Sequence, residues 1–263
     1  MVTKTQLLLQ RLDEIGTAVS KKAGALALIG LGSVGLELDR LDAFSDLDFF
    51  VIVKPGSKKE YLDDLSWLTA VSPTAYYFQN TADGFKLLYQ DGVFCEFAVF
   101  EETEIKTAVF APGRVVWKAQ GVDDSIALPQ QVNSPPQPQS TEWLIGEVLT
   151  NLYIGLLREQ RGEKLSAMRF IQGHALDRVL ELSTLAETAV EIYPDPFSRE
   201  RRYEQRFPNM ALALPDYLQG YAKNRESAFA ILEFLDKHFE VNPNMKQAIA
   251  ALCKVSANSN DTQ

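Results

Sequence analysis

Apolar residues follow two different patterns along the chain, and the pattern changes near residue 129. In the first part, short apolar runs predict strands at 25–29, 47–53, 74–78, 85–89 and 93–100, with an edge strand at 115–118. Helical spacing of leucines and other apolar residues predicts helices at 6–20 and 60–70. The first part is therefore expected to form a mixed sheet with flanking helices.

The second part has helical periodicity throughout. It predicts helices from Ser140 or Thr141 to about Gln160, and then at 164–190, 216–239 and 244–255. The segment 129–139, PQQVNSPPQPQ, favours an extended connector. We therefore predict an α+β protein with a sheet domain at 1–128, a linker at 129–139, a helical bundle domain at 140–255 and a polar tail at 256–263.

Three glycines follow the first strand, in the order Gly30-Leu31-Gly32-Ser33-Val34-Gly35. This spacing predicts a tight turn with a close approach of the backbone. A short helix or helical turn at 33–40 would direct backbone N–H groups towards an anion such as a nucleotide phosphate. The hydroxyl of Ser33 would add a donor to a terminal phosphate, or would serve as a plain N-cap.

Two acidic residues lie at the start of the next strand, Asp46 before it and Asp48 within it. Residues two apart on a strand face the same side, about 6.5 Å apart along the strand. Two carboxylates in this arrangement repel each other unless a cation lies between them. We predict a hard cation that binds oxygen ligands, and Mg2+ in particular. The alternative is a surface turn that caps a strand.

Glu96 is a carboxylate within the otherwise apolar run VFCEFAVF, which follows a predicted hairpin turn at Asp91-Gly92. A buried carboxylate must be paired, protonated or bound to a metal ion. The alternative is that Glu96 faces solvent on an edge strand.

Composition narrows the classes of function. The net charge is -9 and the sequence pI is about 4.9, which argues against general nucleic-acid binding and suits a small or cationic substrate. Cys95 and Cys253 indicate no disulfide framework, which is consistent with a reducing cytoplasm. No apolar stretch has the length of a membrane span, and the N-terminus lacks the pattern of a signal peptide.

The pair Gly32-Ser33, followed by Asp46-Leu47-Asp48 at the start of an apolar strand, resembles the signature of the polymerase-β-type nucleotidyltransferase superfamily. Within it the chain is most similar to antibiotic nucleotidyltransferases of the lincosamide and streptomycin type. The resemblance covers residues 25–100 well and 151–163 more weakly.

This resemblance implies a Mg2+-dependent enzyme that transfers a nucleoside monophosphate, AMP from ATP, to a hydroxyl of an antibiotic-like small molecule. Asp46, Asp48 and Glu96 would be the metal ligands and catalytic acids of a two-metal site, with Glu96 as the third acid on the neighbouring strand. Gly32 and Ser33 would contact the triphosphate, and the helical domain would close the acceptor cleft. Glu96, or an acid of the helical domain, would accept the proton of the hydroxyl.

Two other functions stay open at this point: a non-catalytic nucleotide-binding regulator, and an enzyme that nucleotidylates a protein. The sequence is compatible with a monomer or a homodimer. The basic run 198–206 is a solvated face or a grip for a triphosphate. Glu147 and Glu163 are candidate acids of the helical domain, whereas His174 and His238 are expected to have structural roles.

Overall fold

The chain divides into two compact units, Met1–Ser134 and Pro135–Gln263. The structure, a computed structural model, describes residues 2–131, 139–192, 195 and 198–254. Most of the predicted linker and all of the predicted polar tail lie outside these residues. Among the described residues, no helix has the length and apolar character needed to cross a membrane.

The first unit is built on a six-stranded mixed sheet in the order β3-β4-β5-β2-β1-β6. Its strands are β1 Ala25–Gly30, β2 Leu47–Val53, β3 Thr74–Gln79, β4 Gly84–Tyr89, β5 Phe94–Glu101 and β6 Arg114–Lys118. Strands β2 and β5 are parallel, and the other neighbours are antiparallel. With the helical second unit, this sheet confirms the predicted α+β class.

Side chains alternate between the two faces of the sheet, as the period of a strand requires. On one face, Leu47, Phe49, Leu87, Cys95 and Phe97 belong to a large buried core. Helix α1, Lys4–Lys21, adds four fully buried apolar side chains to that core, Leu8, Leu12, Ile15 and Val19. Burial of apolar side chains is the main contribution to stability here.

The opposite face has a smaller core, which includes Ile29, Ile52, Ile105 and Phe110. Helix α4, Glu102–Ile105, contributes Ile105 to it. Asp48 and Glu96 alternate with the buried residues of the helix-covered face, so both project to this opposite face.

Helix α1 begins with a capping box at Thr3. The Oγ1 atom of Thr3 accepts a hydrogen bond from the backbone N–H of Gln6, at 3.2 Å. The Gln6 side chain accepts in return from the backbone N–H of Thr3, at 2.9 Å. These bonds satisfy donors that a helix leaves unpaired, and they fix the start of the helix two residues before the predicted one.

The single helix predicted at 60–70 is wrong. Two short helices replace it, α2 Lys58–Asp63 and α3 Ser66–Thr69. The carboxylate of Asp64 accepts from the backbone N–H of Ser66 at 2.9 Å and from its hydroxyl at 2.8 Å. An aspartate that bonds to nearby backbone in this way competes with helix continuation, so the helix stops and restarts.

The second unit is helical in the described residues. Its longer helices are α5 Thr141–Gln160, α7 Leu176–Ala186, α11 Asn224–His238 and α12 Pro243–Lys254. Shorter ones are α6 Lys164–Met168, α8 Tyr203–Arg206, α9 Pro208–Ala211 and α10 Leu214–Tyr217, and a π-helical segment, Arg169–Ala175, joins α6 to α7. One buried apolar cluster packs them together.

Two of the predicted helices of this unit have the wrong extent. The helix predicted at 216–239 is interrupted before α11, where Gly220 has φ +88°. Gln172 stabilises the chain at this interruption. Its side chain accepts a hydrogen bond from the backbone N–H of Gly220 at 2.8 Å and donates one to the carbonyl of Gly220 at 2.9 Å. The helix predicted to reach residue 190 ends at Ala186, since Glu187 is extended.

Candidate active site

The glycine turn that follows β1 folds the chain back against the end of that strand. The helical segment expected at 33–40 is present as two 3-10 turns, Gly32–Val34 and Leu38–Arg40, and not as an α-helix. A Cβ atom at Gly35 would lie 2.7 Å from the carbonyl oxygen of Gly30. This close approach requires glycine, and the backbone of Gly35 (φ -92°, ψ -120°) ends the first turn.

The turn lies next to the strand that carries Asp48. The backbone N–H of Leu31 donates to the carbonyl of Asp48 at 2.8 Å. Gly32 has φ +52°, and a Cβ atom there would lie 4.0 Å from Oδ2 of Asp48. The first N–H groups of a helical turn have no acceptor within it, so those of Gly32 and Ser33 are directed away from the turn.

Arg114 of β6 binds the glycine turn through its side chain. Its Nε and Nη2 atoms donate to the carbonyl of Val34 at 3.2 and 3.0 Å. This contact places a permanent positive charge beside the glycine turn. Sequence reasoning did not select Arg114, because the pairing of β6 with β1 that brings it there is not visible in the local pattern.

Asp46 and Asp48 lie at the start of β2, and both are partly buried. Strand β2 begins at Leu47, so Asp48 is held within the sheet and Asp46 immediately precedes it. Burial, and to a smaller extent the negative charges of Asp48 and Asp46, raise the pKa of the Cys95 thiol to about 12, whereas Arg11 acts to lower it. Both carboxylates therefore act electrostatically on one thiol.

Glu96 is the direct neighbour of Asp48 across the parallel pair β2 and β5. Adjacent strands are about 4.8 Å apart, so the two acidic side chains lie side by side on the same face. Strand β5 is interior to the sheet, yet the Glu96 side chain remains 43% exposed. It is therefore neither a buried carboxylate in an apolar strand nor a residue of an edge strand.

Both carboxylate oxygens of Glu96 have partners. Lys86 Nζ lies 3.1 Å from Oε2, and Asn80 Nδ2 donates to Oε1 at 2.9 Å. The reverse orientation of the Asn80 amide would turn its oxygen towards the carboxylate, so the donor assignment follows from charge. Of the three options for Glu96 given by its sequence context, the described structure shows the paired one.

Neither Lys86 nor Asn80 was selected from the sequence. The observed register pairs Lys86 with Glu96, because the loop between β4 and β5 is one residue longer than the predicted two-residue turn. Cross-strand partners of opposite charge stabilise one another. The predicted two-residue turn Asp91-Gly92 would place Leu87 opposite Glu96, so counting outward from it would not have identified Lys86.

The residues at this site fit a divalent cation in part. Asp46 and Asp48 offer oxygen ligands of the kind that Mg2+ prefers. Within the part of the chain that the structure describes, however, no three Asp, Glu, His or Cys groups are placed so that they could together hold a metal ion. The role of Glu96 as a metal ligand stays a prediction.

The other candidates have partners in the second unit. In the basic run, Arg199 pairs with Glu181, and Arg201 pairs with Asp195 at 2.8 Å. Glu163 pairs with Arg161 at 3.3 Å. These ion pairs favour a structural role for this part of the basic run.

The histidines and Glu147 are involved in local contacts. His174 packs edge-on against Phe170, and the ring of His238 lies 5.0 Å from that of Phe234. Glu147 accepts from the Asn151 side chain through its backbone carbonyl at 2.7 Å. These contacts agree with the structural roles expected for both histidines.

Comparison with solved structures gives several similarities of low degree. No family model and no curated protein matches the chain. An aminoglycoside 6-adenyltransferase from Bacillus subtilis is 11% identical, with a TM-score of 0.37, and the match covers 97% of this chain and 98% of that one. A nucleotidyltransferase-like protein from Exiguobacterium sibiricum is 12% identical, with a TM-score of 0.33, and the match covers 94% and 74%.

Similarities of this degree do not establish a shared activity. The function proposed below therefore depends on the residues of this chain and their arrangement.

Proposed function

We propose that the chain is a nucleotidyltransferase that moves a nucleoside monophosphate, AMP from ATP, to a hydroxyl of a small molecule. The main support is the row formed by the glycine-serine turn, Asp48 and Glu96. Leu31 bonds to Asp48, and Asp48 is the register partner of Glu96. The residues that we assign to phosphate, to the metal ion and to proton transfer are thus connected to one another through Asp48.

Each group has a role in this proposal. The N–H groups of Gly32 and Ser33, with the Ser33 hydroxyl, bind the terminal phosphates of the triphosphate. Asp46 and Asp48 hold Mg2+, which when bound neutralises phosphate charge and orients the triphosphate. Glu96 lies beside Asp48, where it can orient the acceptor hydroxyl and accept its proton.

The transfer balances with these groups alone. The acceptor oxygen forms a bond to the α-phosphorus, and the bond from that phosphorus to the oxygen bridging to the β-phosphorus breaks. Pyrophosphate leaves with the bonding electron pair, and the hydroxyl proton passes to the Glu96 carboxylate. The half-exposed position of Glu96 leaves it accessible to an acceptor from solvent.

The test is a transfer assay with the full-length protein, Mg2+ and each labelled nucleoside triphosphate in turn. The acceptors are hydroxylated small molecules, including aminoglycosides because one structurally similar protein is named for them. We expect labelled acceptor and pyrophosphate. Label on protein alone would favour a protein-modifying enzyme, and triphosphate binding without any transfer would favour a regulator.

A further inference from the structure

The carboxylate of Glu96 already has a cationic partner in this structure. Lys86 Nζ lies 3.1 Å from Oε2, while the amide of Asn80 binds Oε1 at 2.9 Å. A metal ion that used Glu96 as a ligand would have to replace one of these two contacts. Glu96 therefore differs from Asp46, for which no such ion pair is recorded among the described residues.

The sheet itself holds Lys86 in this place. Lys86 is the cross-strand partner of Glu96 in the antiparallel pair of β4 and β5. The residues before and after it, Phe85 and Leu87, are buried in the core on the other face. Backbone pairing and core packing thus fix the position of the Lys86 backbone, from which the side chain extends towards Glu96. The side chain of Lys86 is 36% exposed, less than that of Glu96.

A second divalent ion beside Glu96 would meet the ammonium of Lys86. Metal–oxygen distances for Mg2+ are about 2.0–2.1 Å, so an ion bound to Glu96 would lie within a few ångströms of Nζ. Like charges at that separation repel strongly even at the dielectric of a protein surface. The ammonium and a second metal ion therefore exclude one another at this carboxylate.

We propose that Lys86 takes the place of the second metal ion. The site holds a single divalent cation, at Asp46 and Asp48, and the ammonium of Lys86 supplies the positive charge next to Glu96. Lys86 and Asn80 are then positioning residues, which fix the Glu96 carboxylate beside Asp48. This inference rests on the proposed function, and it replaces the two-metal arrangement expected from the sequence.

The test counts metal ions instead of measuring turnover. Full-length protein is saturated with Mn2+ and an ATP analogue in which a methylene group replaces the oxygen between the α- and β-phosphates. Calorimetric titration gives the number of ions bound per chain. Two manganese ions about 3.5–4 Å apart also give a coupled electron paramagnetic resonance spectrum, which a single ion does not.

We expect one uncoupled Mn2+ per chain in the wild-type protein and in Lys86→Arg. Lys86→Met should bind a second ion and show the coupled spectrum, because Glu96 is then released. The double variant Lys86→Met/Glu96→Gln should return to one ion. Lys118→Met is the matched control, since Lys118 also lies on a strand, has the same 36% exposure and pairs with Asp124 at 2.7 Å.

The possible results separate the two proposals. Two coupled ions in the wild-type protein would overturn the role of Lys86 and leave the proposed function standing. If Lys86→Met binds a single ion and its circular dichroism and melting temperature are unchanged, the proposed role of Lys86 is overturned as well. Failure of the wild-type protein to bind either Mn2+ or the analogue would overturn the proposed function, and with it this inference. Lys86→Gln replaces Lys86→Met if the latter does not fold.

Discussion

Asp48 is held more firmly than Asp46, because it is a member of β2 whereas Asp46 precedes the strand. At the scale of single residues this difference matters for chemistry, since a preorganised ligand needs no rearrangement when a cation binds. Asp48 also contacts the glycine turn through its backbone and is paired in register with Glu96.

Replacing Asp48 by Asn should abolish transfer while leaving the fold intact. We expect a loss of roughly 100-fold or more in kcat, by analogy with removal of one preorganised electrostatic group. Without Mg2+ the free energy of unfolding should stay equal or rise, since repulsion between two carboxylates is relieved. Steady-state kinetics and urea unfolding measure the two effects.

The control for this variant is Asp39→Asn, because Asp39 is an exposed acid in the 3-10 turn Leu38–Arg40 that precedes β2. It should leave kcat within a factor of about 2 of the wild-type value, as surface changes have small effects. Near-normal turnover in Asp48→Asn would show that the metal assignment is wrong.

At the scale of elements, the glycine turn depends on Gly35 more than on Gly32. A Cβ atom at Gly35 would lie within 2.9 Å of three backbone atoms, whereas one at Gly32 would meet no atom closer than 4.0 Å. Gly35→Ala should therefore lower the free energy of unfolding by about 1–3 kcal/mol through overpacking. Gly32→Ala should cost about 1 kcal/mol, because only its left-handed backbone is strained.

Urea unfolding of both variants tests this order. A parallel titration with labelled triphosphate shows whether the displaced turn also weakens phosphate binding, which we expect for Gly35→Ala. Equal stability of the two variants would contradict the close approach seen at Gly35.

Helix α1 is joined to the hairpin of β4 and β5 by Arg11, which is only 5% exposed. Its Nη2 atom lies 2.7 Å from Asp91 Oδ2, and its guanidinium group lies 4.5 Å from the centre of the Tyr89 ring. Burial acts to raise the pKa of Asp91, but the hydrogen bonds from Arg11 and from the N–H of Val93 outweigh it, and the pKa is lowered.

A lowered pKa in the folded state means that Asp91 stabilises the protein above its unfolded-state pKa. This contribution is lost as the pH falls from that value through the pKa of the folded state. Asp91→Asn should thus destabilise the protein by about 1 kcal/mol at neutral pH. The effect is modest because 34% of the Asp91 side chain is exposed.

The destabilisation should shrink as the pH falls from about 4, the unfolded-state pKa of an aspartate, through the lower pKa of Asp91 in the folded protein. Urea unfolding at several pH values gives this dependence. Asp63→Asn serves as the control, because Asp63 and its partner Lys59 are 60% and 83% exposed. A difference between wild type and Asp91→Asn that stays constant with pH would rule out the ion pair as its cause.

The local pattern predicted the strands well but not the interruptions of the helices. Alternation and β-branched or aromatic residues placed β2, β4 and β5 within about one residue, since those signals lie in the strand itself. The break at Gly220 depends on Gln172, which is 48 residues away in the chain. Contacts of such separation are invisible to periodicity, and so was the ion pair of Lys86 with Glu96.

The part of the candidate site that lies in one continuous segment of the chain could be predicted from the sequence. Gly32, Ser33, Asp46 and Asp48 lie within 17 residues of one another, so spacing alone indicated their chemistry. Arg114, Asn80 and Lys86 reach the site from three other parts of the chain. Their identification required the order of the strands, which the sequence did not provide.

At the scale of the whole molecule, each unit has its own hydrophobic core. The two clusters of the first unit consist of residues between Leu7 and Ala127. The cluster of the second unit consists of residues between Leu144 and Cys253. Because a domain with its own core can fold alone, the two units should be separable.

A fragment ending at Ser134 should therefore fold cooperatively and still bind Mg2+ with a triphosphate. Every residue proposed to contact phosphate or metal lies before that point, and so do Asn80, Lys86 and Arg114. The fragment should lose transfer, because the resemblance seen in the sequence assigns the acceptor to the helical unit. Circular dichroism, calorimetric titration with the methylene analogue and the transfer assay measure the three properties. A folded fragment with full transfer activity would show that the first unit alone binds the acceptor, whereas a folded fragment that binds no triphosphate would mean that the nucleotide site needs residues beyond Ser134.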